Sequence, residues 1–81
     1  MNAIDHALLA LAAEERGDTA AAQTHLCDAR HQARHTAQRE RQIVEIATLV
    51  VGGARTRAAD LALVHRAEFT DDGDLLGRVI G

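Results

Sequence analysis

Apolar side chains recur along this chain at intervals of three and four residues, and nowhere do they alternate with a period of two over the length of a strand. Ile4, Leu8 and Leu11, joined by Leu9, Ala12 and Ala13, form a wide apolar band that predicts a helix over about residues 3–16. Asn2 is its expected N-cap, with Asp5 in the first turn where a carboxylate is favoured. Gly17 ends it. Asp18 or Thr19 then caps a second helix with an apolar edge of Ala22, Leu26 and Ala29, and Leu9 and Ala10 are expected to face back onto that edge.

Residues 30–42 hold neither Gly nor Pro, so propensity alone would allow one helix from Thr19 to Val51. Its apolar edge would run Ala22, Leu26, Ala29, Ala33 and then meet Glu40 before Val44. So short a chain could not cover that edge, so a break is expected near His35–Gln38, with Thr36 capping a third helix that stops at Gly52-Gly53. A fourth helix is expected over about Thr56–Phe69, with Ala59, Ala62 and Leu63 inward. Thr70 or Asp71 caps a last short helix, with Asp74 three residues beyond Asp71 and an apolar face of Leu75, Leu76, Val79 and Ile80. The expected fold is all-α, one domain over residues 1–81. It consists of two antiparallel hairpins, 3–35 and 37–69, and a C-terminal helix, 71–80.

Composition narrows this picture. Hydrophobic residues make up 47% of the 81, but the aromatic share is 1%, the single Phe69. Ala supplies much of the rest, so the core must be thin and close-packed, which suits helices because Ala is the best helix former. With no Pro, only Gly and polar caps can stop a helix. A net charge of −3 argues against general nucleic-acid binding, which needs a basic surface. No apolar run approaches the roughly 20 residues of a membrane span. Residues Met1 to Asp5 lack the basic start of a signal peptide, and Cys27 is the one cysteine, so the expected location is a reducing cytosol. All nine basic side chains are Arg, and the Arg and Ala bias fits a high-GC bacterial genome. Ser, Lys, Tyr and Trp are absent, which removes several common nucleophiles, acids and base-stacking platforms.

The two halves match as sequences. His6-x2-Leu9-Ala10-x2-Ala13 followed by Ala22-x3-Leu26 aligns with Ile43-x2-Ile46-Ala47-x2-Val50 followed by Ala59-x3-Leu63, an offset of 37 that also relates Thr19 to Thr56. This resembles the tetratricopeptide repeat, whose pattern has a large residue, Leu-Gly and an aromatic on its first helix and Ala-x3-Phe on its second. Ala10 and Ala47 stand where the pattern has Gly, with Ala22 and Ala59 on the opposing helices. Gly17-Asp18 matches the family's turn, while Gly53 falls one residue early in the second copy. Leu26, Leu63, Val50 and Ala13 replace the family's aromatics, its closing Pro is absent, and the offset exceeds the usual repeat of about 34 residues. The second half, from Arg39-Glu40-Arg41 through Gly53 to His65-x3-Phe69 and Asp71-Asp72, is also similar to bacterial relatives of tetratricopeptide repeat protein 38. The rival reading is an Ala-rich bundle whose period mimics a repeat. The resemblance implies protein or peptide binding, with the first helices lining a concave surface. Repeat stacks need at least about three units to bury a continuous core, so two units imply a homo-oligomer or docking on a larger partner. The end helix is the expected contact unless it folds back as a cap.

Chemistry-bearing residues are sparse. Cys27, His31 and His35, at i, i+4 and i+8, form one stripe opposite the apolar edge of the second helix and could contribute to a metal or metal-sensing site. The third lies two turns from the first, so one ion would need a ligand from elsewhere, and a solvated face accounts for the stripe without any metal. Cys27 beside Arg30 and His31 could also be a mildly activated thiol. Arg30, Arg34, Arg39 and Arg41, with His31 and His35, make residues 30–41 basic: either a docking patch for phosphate, nucleic acid or an acidic partner, or a solvated face pairing with Asp28, Glu40 and Glu45. His6 sits in the repeat's large-residue slot and is expected to be packed, and His65 has no evident partner. Asp71-Asp72-Gly73-Asp74 lacks the spacing and distal Glu of a calcium loop, so capping explains it better. Glu14 and Glu15 are adjacent and point about 100° apart, so they cannot share a proton. With no phosphate loop and no HExxH, no residue is assigned as catalytic, cofactor-binding or metal-ligating, and the expectation is an interaction module rather than an enzyme.

Overall fold

The computed structural model describes residues 2–80, without the side chains of Arg78 and Ile80, so the expected apolar role of Ile80 lies outside the described residues. Five helices follow in order: α1 (Ala3–Glu15), α2 (Thr19–Ala33), α3 (Gln38–Val51), α4 (Arg55–Glu68) and α5 (Gly73–Ile80), with a 3-10 turn at Thr70–Asp72 before α5. No strand occurs among the described residues, and the fold is all-α as the periodicity predicts. α1 packs chiefly on α2 and α3 on α4, while α3 also lies against both α1 and α2 and α5 rests on α4. The smallest dimension, 18 Å, is two helix layers at the usual spacing of about 8–10 Å. None of the described helices is long and apolar enough to cross a membrane.

Polar side chains cap α1 and α2, whereas α3 and α4 open at Ala37 and Ala54 with no side-chain bond. Asn2 and Asp5 form a reciprocal capping box, Asp5 N–H donating to Asn2 Oδ1 at 2.9 Å. Asp18 caps α2 by accepting from Ala21 N–H at 3.1 Å. The chain breaks at residues 34–37, one residue earlier than the expected His35–Gln38, but Thr36 is not the cap of α3. Its hydroxyl turns back to donate to the Ala33 carbonyl at 2.9 Å, and Ala37 takes the N-cap position with no side-chain bond. Closing the exposed carbonyl at the end of α2 competes for the same hydroxyl.

Both hairpins turn on a glycine in the left-handed region, Gly17 at φ +78° and Gly53 at φ +85°. The hydrogen bonds of the two turns are the same. Gly17 N–H donates to Glu14 O at 3.0 Å and Asp18 N–H to Ala13 O at 2.9 Å, while Gly53 N–H donates to Val50 O at 3.0 Å and Ala54 N–H to Leu49 O at 2.8 Å. Each turn is a Schellman motif. The motifs stand 36 positions apart, not 37, and this corrects the register of the fourth helix. Ala58, Ala62 and His65 are its buried positions, whereas Ala59 is half-buried and Leu63 is 44% exposed. The early Gly53 is the reason: the turn brings the next helix round one residue sooner.

The core is built from small residues against a few large ones. On α1, Ala3, Ala7, Ala10, Leu11 and Ala13 are buried, and they meet Ala22, Leu26, Ala29 and Ala33 of α2. Leu9, expected on this seam, is instead 37% exposed. α3 has helices on both sides and buries the widest arc, Ile43, Val44, Ile46, Ala47, Val50 and Val51. α5 folds back: Leu76 is 1% exposed, with Leu75 and Val79 packed partly against the core. The Leu76 side of the helix is therefore covered within the chain.

Replacing Gly17 or Gly53 by Ala should destabilise the fold by about 1–2 kcal/mol each, the cost of a left-handed L-residue. An added Cβ meets nothing at either position, so backbone strain alone is tested. Gly77→Ala, in α5 and equally free of clashes, should stabilise by roughly 0.5–1 kcal/mol. Urea unfolding of the three variants checks both signs.

Candidate functional site

α4 presents two faces of opposite character. Its inner face carries Ala58, Ala62 and His65. Its outer face, with the adjoining side of α3, forms a shallow groove lined by Glu45, Leu49, Arg57, Asp60, Leu61 and Val64. Leu49 and Leu61 are half-buried against the core and Val64 is 52% exposed, which leaves an apolar floor open between one cation and two anions. Large apolar side chains gathered at one exposed place commonly mark a contact surface.

The inner face poses a different problem, because the corrected register places an imidazole in the core. His65 is 0% exposed. One ring nitrogen lies 2.7 Å from Gln42 Oε1 and the other, Nε2, 2.7 Å from Asp72 Oδ2. A carboxylate only accepts, so Nε2 carries the proton towards Asp72. Phe69 lies beside the ring at 4.8 Å between centroids. Asp72, itself 2% exposed, accepts two further bonds from Arg39, from Nε to Oδ2 at 2.8 Å and from Nη2 to Oδ1 at 2.6 Å. That forked pairing is the strong form of the carboxylate–guanidinium bond. It holds the Asp72 carboxyl below the usual carboxylate range, chiefly through the Arg39 hydrogen bonds and against the opposing effect of burial, and it raises the Arg39 guanidinium in turn.

This cluster forms a clasp. It ties the start of α3 to the end of α4 and to the turn before α5, and its His and Asp are closed to solvent. Sequence reasoning missed it. Arg39 stands among the basic residues 30–41, yet its guanidinium crosses to Asp72 and also lies 3.7 Å from Glu40. Asp72, expected in a capping run, is drawn inward. The signal was the out-of-place His65, which acquires a need for partners once the register of α4 is known.

The remaining candidates lie on α1 and α2. Cys27, His31 and His35 are exposed, and Cys27 and His31 share a shallow groove with Gln23, Leu26, Arg30 and Arg34. Among the described residues, no carboxylate or further His lines that groove. Among the described residues, the one group of three potential ligands is elsewhere: His6 on α1 with His25 and Asp28 on α2, donor atoms all within 4.8 Å of one another. His6 is half-buried, His25 was not singled out from the sequence, and Asp28 was read there only as a pairing partner of the basic face. His25 and Asp28 are three positions apart on one helix, and only the hairpin brings His6 to them. No protein-family model, curated protein or solved structure matches the chain. The reading of its function therefore rests on these surfaces and clusters.

Asp72→Asn should destabilise the fold by about 3 kcal/mol, the low end of the cost of breaking a buried ion pair, because the Arg39 side chain is 38% exposed and recovers water. The lowered Asp72 carboxyl contributes stability that is complete above its unfolded value near 3.8 and lost as pH falls through the folded value. Thermal melts of wild type and variant should therefore differ most above about pH 4 and converge in stronger acid.

Proposed function

We propose that this chain is a small protein-interaction module of tetratricopeptide-like design, without catalytic activity of its own, that works in the cytoplasm as a pair of identical copies joined across the α3–α4 face. The observation that carries the reading is the groove of Leu49, Leu61 and Val64 flanked by Glu45, Arg57 and Asp60. A two-fold pairing requires a patch complementary to itself. Here Arg57 of one copy has Glu45 and Asp60 of the other to meet, around an apolar floor that each copy covers for its partner. The equivalent turns 36 residues apart and the Ala-lined hairpins support the tetratricopeptide-like design. A stack of two hairpins also leaves an open side, as repeat arrays do unless capped or continued. α5 closes the inner part of that side and leaves the α3–α4 groove uncovered.

Light scattering coupled to size exclusion should give twice the chain mass at micromolar concentration. Val64→Glu should shift the protein to monomer without loss of helicity, since a buried apolar side chain of this size is worth roughly 1.5–3 kcal/mol and symmetry removes it twice. Arg57→Glu should weaken the pair, and Arg57→Glu combined with Glu45→Arg should restore it. A stable monomer for the wild type, or a dimer indifferent to Val64, would rule the reading out.

A further inference from the structure

We propose that His6, His25 and Asp28 form a binding site for a divalent transition-metal ion of the Zn(II) class, held across the seam between α1 and α2. Two imidazoles and a carboxylate are a common donor set for such ions, with positions left for water. The three donor atoms lie within 4.8 Å of one another. Ligand atoms around a tetrahedral ion with bonds of about 2.0–2.1 Å sit roughly 3.3 Å apart, so each needs to move under about 1 Å, the reach of a small side-chain rotation. The imidazole rings already face one another at 6.5 Å between centroids and 31° between planes.

A second, independent observation points the same way. The Nδ1 atoms of both His6 and His25 are buried and have no hydrogen-bond partner among the described residues. Buried polar nitrogens are ordinarily paired, and two such orphans on rings that adjoin across a helix seam call for a partner. An ion would accept a lone pair from each imidazole and be drawn in by the Asp28 carboxylate. His25 and Asp28 lie on one face of α2 at i and i+3, and His6 is brought to them by the Gly17 turn, so the site exists only in the folded hairpin. Binding therefore couples to folding and staples α1 to α2. The site is on the hairpin that the proposed dimer face does not use, so either can fail without the other.

Titration of the purified, metal-free chain with ZnCl2 by calorimetry should give one ion per chain and raise the melting temperature. His6→Ala and His25→Gln should each weaken binding by at least about 10–100-fold, because loss of even an outer-shell partner typically has that effect. The double variant Cys27→Ala with His31→Ala should bind as wild type does. Circular dichroism of the apo proteins separates loss of a ligand from loss of the fold, and if His6→Ala unfolds, the Co(II) form of the wild type decides. A d–d spectrum without a thiolate charge-transfer band supports the site; a thiolate band assigns the ion to Cys27 and overturns it. No binding by the wild type, or binding that survives His25→Gln and disappears with Cys27 and His31, overturns it as well.

Discussion

Twice in this chain the backbone must reverse within a few residues, and each time a glycine in the left-handed region makes the reversal possible. Gly17 and Gly53 leave the last carbonyls of α1 and α3 satisfied by the same pair of bonds. Their consequence reaches well beyond the turns. A Schellman motif sets the rotation at which the next helix leaves, and so decides which of its stripes faces the partner. In the first hairpin that stripe is Ala22, Leu26, Ala29 and Ala33; in the second it is Ala58, Ala62 and His65.

Small side chains allow the hairpins to close on that geometry. Where alanines meet, helix axes can approach closely and dispersion contacts accumulate over the backbone itself. The large residues are concentrated on α3, the helix with neighbours on both sides. One imidazole is carried inward by the same register, and it cannot be left dry and unpaired. Asp72 and Gln42 serve it, Arg39 neutralises Asp72, and the turn before α5 is thereby tied to α3. A polar clasp and an apolar core are thus two outcomes of one turn geometry.

The same geometry separates the two surfaces on which the functional proposals stand. Turning Ala58, Ala62 and His65 inward leaves Leu61 and Val64 on the outer side of α4 beside Leu49, with charges of both signs around them. On the other hairpin, the Gly17 turn brings His6 of α1 to His25 and Asp28 of α2. Neither grouping exists on a single helix. Each is a product of pairing, and each lies on a different pair.

Much of this architecture was already decided by the order of residues. Local preferences place the helices, because spacing of apolar residues, the Asn2–Asp5 box, the Asp18 cap and the two glycine stops act over a few positions. The interruption after α2 followed from the lack of anything to cover a continuous rod. What could not be read locally is every feature that depends on the rotation of one helix against another. An offset of 37 satisfied the residue pattern, and the hydrogen bonds at Gly53 with the burial of Ala58, Ala62 and His65 set it at 36. Arg39 and Asp72 are 33 positions apart and each had a plausible local role, so nothing along the chain joined them. The meeting of His6 with His25 and Asp28 escaped the sequence for the same reason. The sequence alone determined where the rods begin and end, since that is settled by forces acting within a turn or two. Which faces meet, and hence which residues become neighbours, was left to the tertiary structure, because packing depends on angles that a one-dimensional pattern specifies only to within a residue.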